Sequence, residues 1–214
     1  MKRGLFAGKV RGLLGENSIS APDGTRFVYS AGEYRLITDV DEYFFDDIRE
    51  DDIVLDIGAN AGAFCIRAAR KSRNVIAVEP VTAAVLEENI RRNGVSVRVI
   101  VGALGTGGIM DIEWDGEHAV VPTWPLKDLV RMAGGCDFLK CDCEGGEWLI
   151  DPGDLAGIRR IEMELHVPPI GGPQNPRLLD YIGRHYEFTI DRDPSHLPLG
   201  VMGILHAIRR METP

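Results

Sequence analysis

The sequence predicts an α/β protein with a parallel, doubly wound sheet, and three stretches predict it. Ile53 to Ile57 is a short apolar run broken only by Asp56, the pattern of a strand buried on both faces of a parallel sheet. Gly58 and Gly62 follow, and Ala63 to Lys71 then spaces Phe64, Ile66, Ala68 and Ala69 as a helix. Val75 to Val78 and Phe138 to Cys141 repeat the theme, each a buried run that ends at an acid, Glu79 and Asp142. Strands that alternate with helices over short connections imply right-handed crossovers and helices on both faces.

The remaining elements follow in order. Residues 1–37 read as a small β extension, with candidate strands at Lys9 to Leu14, Arg26 to Ser30 and Tyr34 to Ile37, and residues 38–214 as the main domain. Thr38 or Asp39 can cap a helix through about Ile48, placing Val40, Tyr43, Phe44 and Ile48 on one stripe that could lie over the site as a partial lid. Pro80 and Val81 lead into a helix that stops at Asn93-Gly94. Ser96 to Val101 is the next strand, Ile109 to Trp114 and His118 to Val121 form a hairpin, and Leu126 to Met132 is a helix. After Phe138 to Cys141 come a strand at Arg160 to Leu165 and a Pro/Gly-rich loop. A helix from Arg177 to Gly183 and strands at Tyr186 to Asp191 and Gly203 to Ile208 close the chain.

The first strand–turn–helix unit is the shape of a nucleotide site, because glycines let a ligand approach the backbone closely. A dinucleotide fingerprint would read Gly-x-Gly-x-x-Gly, but Asn60 takes the middle glycine position and Asp56 precedes the turn. A carboxylate there repels a pyrophosphate and suits a ligand carrying ammonium and sulfonium charges, which is S-adenosylmethionine. Glu79, about 20 residues on, is placed to accept the ribose hydroxyls of any adenosine ligand. Gly102-Ala103-Leu104-Gly105 would leave room for the adenine ring, so Ala103 joins Asp56, Gly58, Asn60, Gly62 and Glu79 as a candidate cofactor residue.

Asp142 should emerge at the sheet's carboxyl edge facing the reactive end of the cofactor, with Glu144 and Glu147 close behind. Asp142 is the first candidate for orienting the acceptor or the cofactor's amino group and Glu144 for general base, while His166 is a second candidate base because imidazole titrates near neutral pH. Glu147 is equally accounted for as an acid at a helix start. No metal is expected from ligand spacing, although Asp142, Glu144, Glu164 and His166 could alternatively hold a divalent cation. His118 on the hairpin is read as a surface residue. The four cysteines form no pair of C-x-x-C motifs and read as reduced, buried thiols.

Leu55-Asp56-Ile57-Gly58-Ala59-Asn60-Ala61-Gly62, Val78-Glu79-Pro80 and Asp137-Phe138-Leu139-Lys140-Cys141-Asp142-Cys143-Glu144-Gly145 together resemble the FkbM family of class I S-adenosylmethionine-dependent methyltransferases. The usual signature is close to D-F-L-K-I-D-V-E-G; Cys141 and Cys143 replace apolar residues and Gly146 stands where Ala is common, but no carboxylate is lost. The resemblance spans about residues 38–166. It implies a seven-stranded Rossmann-like class I fold, Pro80 beside the cofactor, and methyl transfer to a hydroxyl of a sugar or other small molecule.

Composition sets the outer limits. The proportions, 44% hydrophobic and 27% charged over 214 residues, suit one globular domain. No apolar run of about 18 residues or signal-peptide core is visible, which reads as a cytoplasmic protein with no membrane partner. A net charge of −9 opposes phosphate backbones, making nucleic acid an unlikely acceptor. The basic clusters at Arg67/Arg70/Lys71/Arg73 and Arg91/Arg92 fall on predicted helices and read as solvated faces. Competing readings are a nicotinamide-dependent dehydrogenase, opposed by Asp56 and Asn60, and a non-catalytic cofactor-binding module. The sequence leaves the acceptor and the oligomeric state open.

Overall fold

The computed structural model describes residues 18–28, 42–114 and 117–211. Its centre is a seven-stranded sheet. In chain order the strands are β3 (Ile53–Ile57), β4 (Asn74–Glu79), β5 (Arg98–Val101), β9 (Phe138–Cys141), β10 (Arg160–His166), β11 (Tyr186–Asp191) and β12 (Val201–Arg209). They lie in the order β11-β12-β10-β9-β3-β4-β5. Only β12 runs antiparallel to its neighbours, between β10 and β11. The chain leaves β3 toward β4 and β5 on one side and later returns through β9 and β10 on the other. The crevice at the carboxyl ends of β3 and β9 is thus the topological switch point, where open α/β sheets bind ligands.

Period-two alternation sends β3 to two cores. Leu55 and Ile57 face one apolar layer, with Leu139, Ile161, Trp148 and Leu129. Val54 faces the other, with Phe64, Ile66, Val75 and Phe138. Asp56 shares Val54's face and stands in register opposite Lys140 of β9, so two charges occupy the middle of an otherwise apolar layer.

The helices are α1 (Ala63–Ala68), α2 (Ala83–Asn93), α3 (Leu126–Ala133) and α4 (Pro176–His185). α1 is shorter than the Ala63 to Lys71 expectation. α2 stops at Gly94, whose φ of 63° is the left-handed cap that the Asn-Gly pair predicted. The Asn175 side chain caps α4 by accepting from the Arg177 N–H. The expected hairpin is longer than read: β7 (Gly108–Trp114) and β8 (Glu117–Trp124) join β6 (Ala103–Leu104) in a separate three-stranded sheet.

Two expectations near the N-terminus change. Of the β extension, β1 (Ser18–Ser20) pairs with β2 (Arg26–Val28), and Lys9 to Leu14 and Tyr34 to Ile37 lie outside the described residues, as does the boundary between 37 and 38. The described pair is part of the main core rather than an appendage. Phe27 and Val28 are buried, and Asn89 of α2 accepts from the Val28 N–H and donates to its carbonyl. The helix expected through Ile48 does not continue over residues 43–48, where a 3₁₀ turn forms over Phe45–Asp47, and its expected start at Thr38 or Asp39 lies outside the described residues. Tertiary partners outweigh the helical stripe there. Phe45 stacks on Phe64, Tyr43 meets Phe64 edge-on, and the Phe44 N–H donates to buried Glu162.

The basic clusters are neutralised by nearby acids: Arg67 and Arg70 by Asp23, Lys71 by Asp46, Arg73 by Glu50, and Arg91 and Arg92 by Glu88. All four cysteines are free thiols, and Cys65, Cys136 and Cys141 are buried. No helix among the described residues is long and apolar enough to cross a membrane.

Candidate active site

A cleft of about 710 Å³ opens at the carboxyl ends of β3, β4 and β9, roofed on one side by the β6–β8 sheet. Local chain geometry builds its floor. Gly58 has a φ of +75°, and a Cβ there would fall 1.7 Å from the carbonyl oxygen of Asp142. The glycine therefore lets the ends of β3 and β9 meet as well as keeping the turn open. Asn60, with a φ of 46°, is one of two non-glycine residues with left-handed backbone among the described residues. Its N–H donates to Glu79 Oε2 at 2.8 Å, while Glu79 Oε1 accepts from the N–H groups of Val81 and Thr82. The carboxylate at the end of β4 is thus clamped at the cleft wall, with lone pairs left for a ligand's hydroxyls. Val78, Leu104, Met110 and Ile112 supply apolar wall beside it.

Asp142, Glu144 and Glu164 line the opposite end. Glu144 is the second left-handed non-glycine residue, at φ 54°, followed by Gly145 at 99°. Such backbone costs a side-chain-bearing residue free energy and collects at functional sites. The chain is held there because Gly145 packs on Gly171, where a Cβ would lie 2.6 Å from the Gly171 Cα. Burial, reinforced by Asp142, Glu164 and Glu147, pushes the Glu144 carboxyl up to about 7, so it can accept a proton near neutral pH. Burial and Asp142 likewise raise Glu164. Asp142 moves the other way: burial opposes its charge, but Lys140 and His166 hold its carboxyl below the usual range.

Comparison with known proteins bears on the architecture. No family model matches the chain, and no curated protein matches it by sequence. Among solved structures, an rRNA methylase from Streptococcus thermophilus superposes with a TM-score of 0.52 at 10% identity, over 78% of this chain and 92% of that one. M. jannaschii TYW2 in complex with AdoMet gives 0.47 at 18% identity, over 88% and 84%. A precorrin-6y C5,15-methyltransferase from Geobacter metallireducens gives 0.48 at 12%, over 78% and 85%. The fold is that of a class I methyltransferase. At these identities the likeness is one of fold.

Within this methyltransferase fold the residues singled out from sequence separate into two groups. Gly58, Asn60, Glu79, Pro80, Ala103, Asp142 and Glu144 all line the cleft. Asp56, Gly62 and His166 do not. Asp56 is completely buried and faces Lys140 Nζ at 3.4 Å, so it acts on the cleft only through that lysine. Gly62 begins α1 in left-handed backbone, where a Cβ would strike Leu86 and Ile66. Ala103 lies on a strand, and the small residues around it answer to packing: a Cβ on Gly102 would lie 2.3 Å from the Trp124 ring and one on Gly105 2.8 Å from Thr123.

His166 is buried behind the acids. Burial alone would lower its pKa, but Glu147, Glu164 and Asp142 outweigh that and push it up to about 11, so the free neutral base expected from an isolated imidazole is replaced by an ion-paired ring. Glu147 stands, as expected of a helix-start acid, in the first turn of a 3₁₀ helix at Gly146–Leu149. It is fully buried and accepts from the N–H groups of His166 at 2.6 Å and Gly145 at 2.9 Å. His118 lies on exposed β8 within 3.6 Å of Asp111 and Glu113, away from the cleft floor.

Two residues escaped the sequence reading. Lys140 donates to the Gly58 carbonyl at 3.0 Å and to Asp142 Oδ2 at 3.4 Å, tying the two strand ends together. Burial opposes its charge, but Asp142 and Asp56 raise its pKa, and it stays protonated. A lysine inside an apolar strand run was the available signal. Tyr43 donates its hydroxyl to Asp142 Oδ2 at 3.3 Å, so the 42–48 segment does reach the site. It does so through one side chain of an irregular segment rather than as a helical lid.

Proposed function

We propose that the protein is an S-adenosylmethionine-dependent methyltransferase that methylates a hydroxyl on a small molecule, sugar or glycan. The observation that carries the reading is the single cleft that joins the clamped Glu79 carboxylate to the acid floor of Asp142 and Glu144 across the Gly58–Asn60 turn. The residues fit the cofactor. Glu79 suits the ribose hydroxyls, the apolar wall at Val78, Leu104 and Ile112 suits adenine, and the carboxylates beyond Gly58 suit the positive methionine end. The motifs that resemble those of the FkbM family support the same reading.

When bound, S-adenosylmethionine supplies an electrophilic methyl group whose sulfur departs with the bonding electron pair. The chain supplies alignment, worth several kcal/mol in such displacements, and a place for the acceptor's proton. Asp142, fixed by Lys140 and Tyr43, orients the acceptor hydroxyl from one side. Glu144, the most exposed of the three acids around His166, takes the proton. A cytoplasmic setting fits a chain whose four cysteines are free thiols.

The acidic cleft and a net charge of −9 favour an uncharged or cationic acceptor over a phosphate backbone. The rRNA methylase neighbour keeps RNA as the second reading. Methyl transfer from radiolabelled cofactor to hydroxylated small molecules and to total RNA, run in parallel at low salt, tests the choice. Label in RNA alone, with salt-sensitive binding, would overturn the small-molecule reading.

A further inference from the structure

At the floor of the cleft three carboxylate oxygens converge on one imidazole nitrogen, none of them at the optimal hydrogen-bond length. His166 Nε2 stands 3.4 Å from Glu144 Oε2, 3.4 Å from Glu164 Oε2 and 3.8 Å from Asp142 Oδ1. Ordinary N–H···O bonds close to about 2.7–3.2 Å. Donors that share one metal ion at about 2.1 Å from each stand instead about 3 to 3.5 Å apart. Asp142, Glu144 and His166 each offer one ligand atom, and these atoms all lie within 4.8 Å of one another. The His166 side chain is 2% exposed, so Nε2 is a buried nitrogen aimed into this gap, with Glu144 and Glu164 at the long limit of hydrogen bonding and Asp142 beyond it.

The surroundings orient the donors toward the gap. On the far side of the ring, Nδ1 lies 3.3 Å from Oε1 of fully buried Glu147. A carboxylate on the other ring nitrogen is the usual outer partner of a metal-bound histidine, because it fixes the tautomer that presents Nε2. Asp142 Oδ2 is occupied by Lys140 and Tyr43, which leaves Oδ1 for the gap. In the absence of a metal ion, the carboxylates of Asp142, Glu144 and Glu164 share the single positive charge of the His166 ring, which a divalent ion would replace.

We propose that Asp142 Oδ1, Glu144 Oε2 and His166 Nε2 bind a divalent cation of the Mg²⁺ or Mn²⁺ class that seats the acceptor hydroxyl. The role, though not the binding, rests on the methyltransferase reading. Carboxylate oxygens with one imidazole suit these hard ions. The cation draws electron density from a coordinated hydroxyl and lowers its pKa. The proton passes to Glu144 Oε1, the oxygen not bound to the ion, and the electron pair of the O–H bond remains on the acceptor oxygen.

The test is a Mn²⁺ titration of the full chain followed by the loss of the free-ion electron paramagnetic resonance signal. S-adenosylhomocysteine binding is measured by calorimetry on the same samples, with and without a chelator. A single saturable Mn²⁺ site is expected, weakened at least tenfold in Glu144→Gln and Asp142→Asn. In Glu147→Gln, which alters the ring's outer partner and one of the two oxygens that accept the His166 and Gly145 N–H groups, the loss should be roughly 10–100-fold. A wild-type far-UV circular dichroism spectrum and cooperative thermal unfolding show that each variant is folded. Homocysteine-ligand binding without any Mn²⁺ site overturns the proposal, and so does Mn²⁺ affinity unchanged in Glu144→Gln and Asp142→Asn. A Mn²⁺ site in a protein that ignores S-adenosylhomocysteine upholds the site and overturns the methyltransferase reading instead.

Discussion

Replacing Lys140 by Met should be among the most destabilising single changes in the protein, although the residue lies in no helix and binds no ligand directly. Asp56 is completely buried, and burial pushes its carboxyl up against the opposing pull of Lys140. Its charge partner is Lys140 Nζ at 3.4 Å. Lys140→Met therefore leaves a buried carboxylate uncompensated and also frees Asp142 Oδ2 and the Gly58 carbonyl. Breaking a buried pair in this one-sided way costs about 3–5 kcal/mol. With a urea m-value near 3 kcal/mol/M for a chain of this size, the unfolding midpoint should fall by about 1 to 2 M. Asp56→Asn alone should cost much less, since Lys140 keeps Asp142 as partner. Asp56→Asn combined with Lys140→Met should recover a large part of the loss, with a coupling energy of about 1–3 kcal/mol. Equilibrium urea unfolding followed by far-UV circular dichroism reads all three variants. A Lys140→Met cost below about 1 kcal/mol, or strict additivity in the double variant, would refute the argument that the lysine compensates Asp56.

Other outcomes follow from the same geometry. Gly58→Ala should destabilise by more than the roughly 1–2 kcal/mol that left-handed backbone alone costs a side chain, because its Cβ meets the Asp142 carbonyl oxygen at 1.7 Å; wild-type thermal stability in that variant would contradict the packing. Glu79→Gln replaces an acceptor of three backbone N–H groups by an amide with one oxygen. It should lose about 1–3 kcal/mol of stability and bind S-adenosylhomocysteine at least tenfold more weakly by calorimetry. Asp23 is held down to about 2, its burial outweighed by Thr25 and Arg67, and Glu88 is held down to about 2 chiefly by Arg91. Carboxyls depressed in the folded state contribute stability above their unfolded pKa near 4 and lose it as pH falls toward 2. The double variant Asp23→Asn, Glu88→Gln should thus show a flatter loss of stability between about pH 4 and 2, and an unchanged acid limb would show that these pairs contribute nothing.

The parts of the molecule that were legible in the sequence are those set by local pattern. The runs at Ile53 to Ile57 and Phe138 to Cys141 announce buried parallel strands by composition alone, and Asp142 and Glu79 are placed by standing at their ends. The fate of Asp56 was not legible, since facing Lys140 depends on β3 and β9 lying side by side in one register. His166 was misjudged for a related reason. An imidazole titrates near neutral only in isolation, and the acids around it come from a loop and a strand that meet in three dimensions. The segment at 42–48 carried a helical stripe, yet Phe64 and Glu162 offered its aromatic rings and backbone better partners than a helix would. Gly102 and Ala103 do line the cleft, but the packing reason for the glycines was not legible, since a Cβ on Gly102 or Gly105 would meet Trp124 or Thr123 from a later strand.

The measurement that tests the central claim most directly is a thermal-shift comparison of S-adenosylmethionine, S-adenosylhomocysteine, NAD and NADP on the wild type and Glu79→Ala. A ligand at about 100 times its dissociation constant adds roughly 2.7 kcal/mol, or about 5 to 10 °C for a domain of this size. The account predicts that shift with the methyl donor and its product, and its loss in Glu79→Ala. A shift with a nicotinamide nucleotide alone would contradict it and make the cleft a dehydrogenase site.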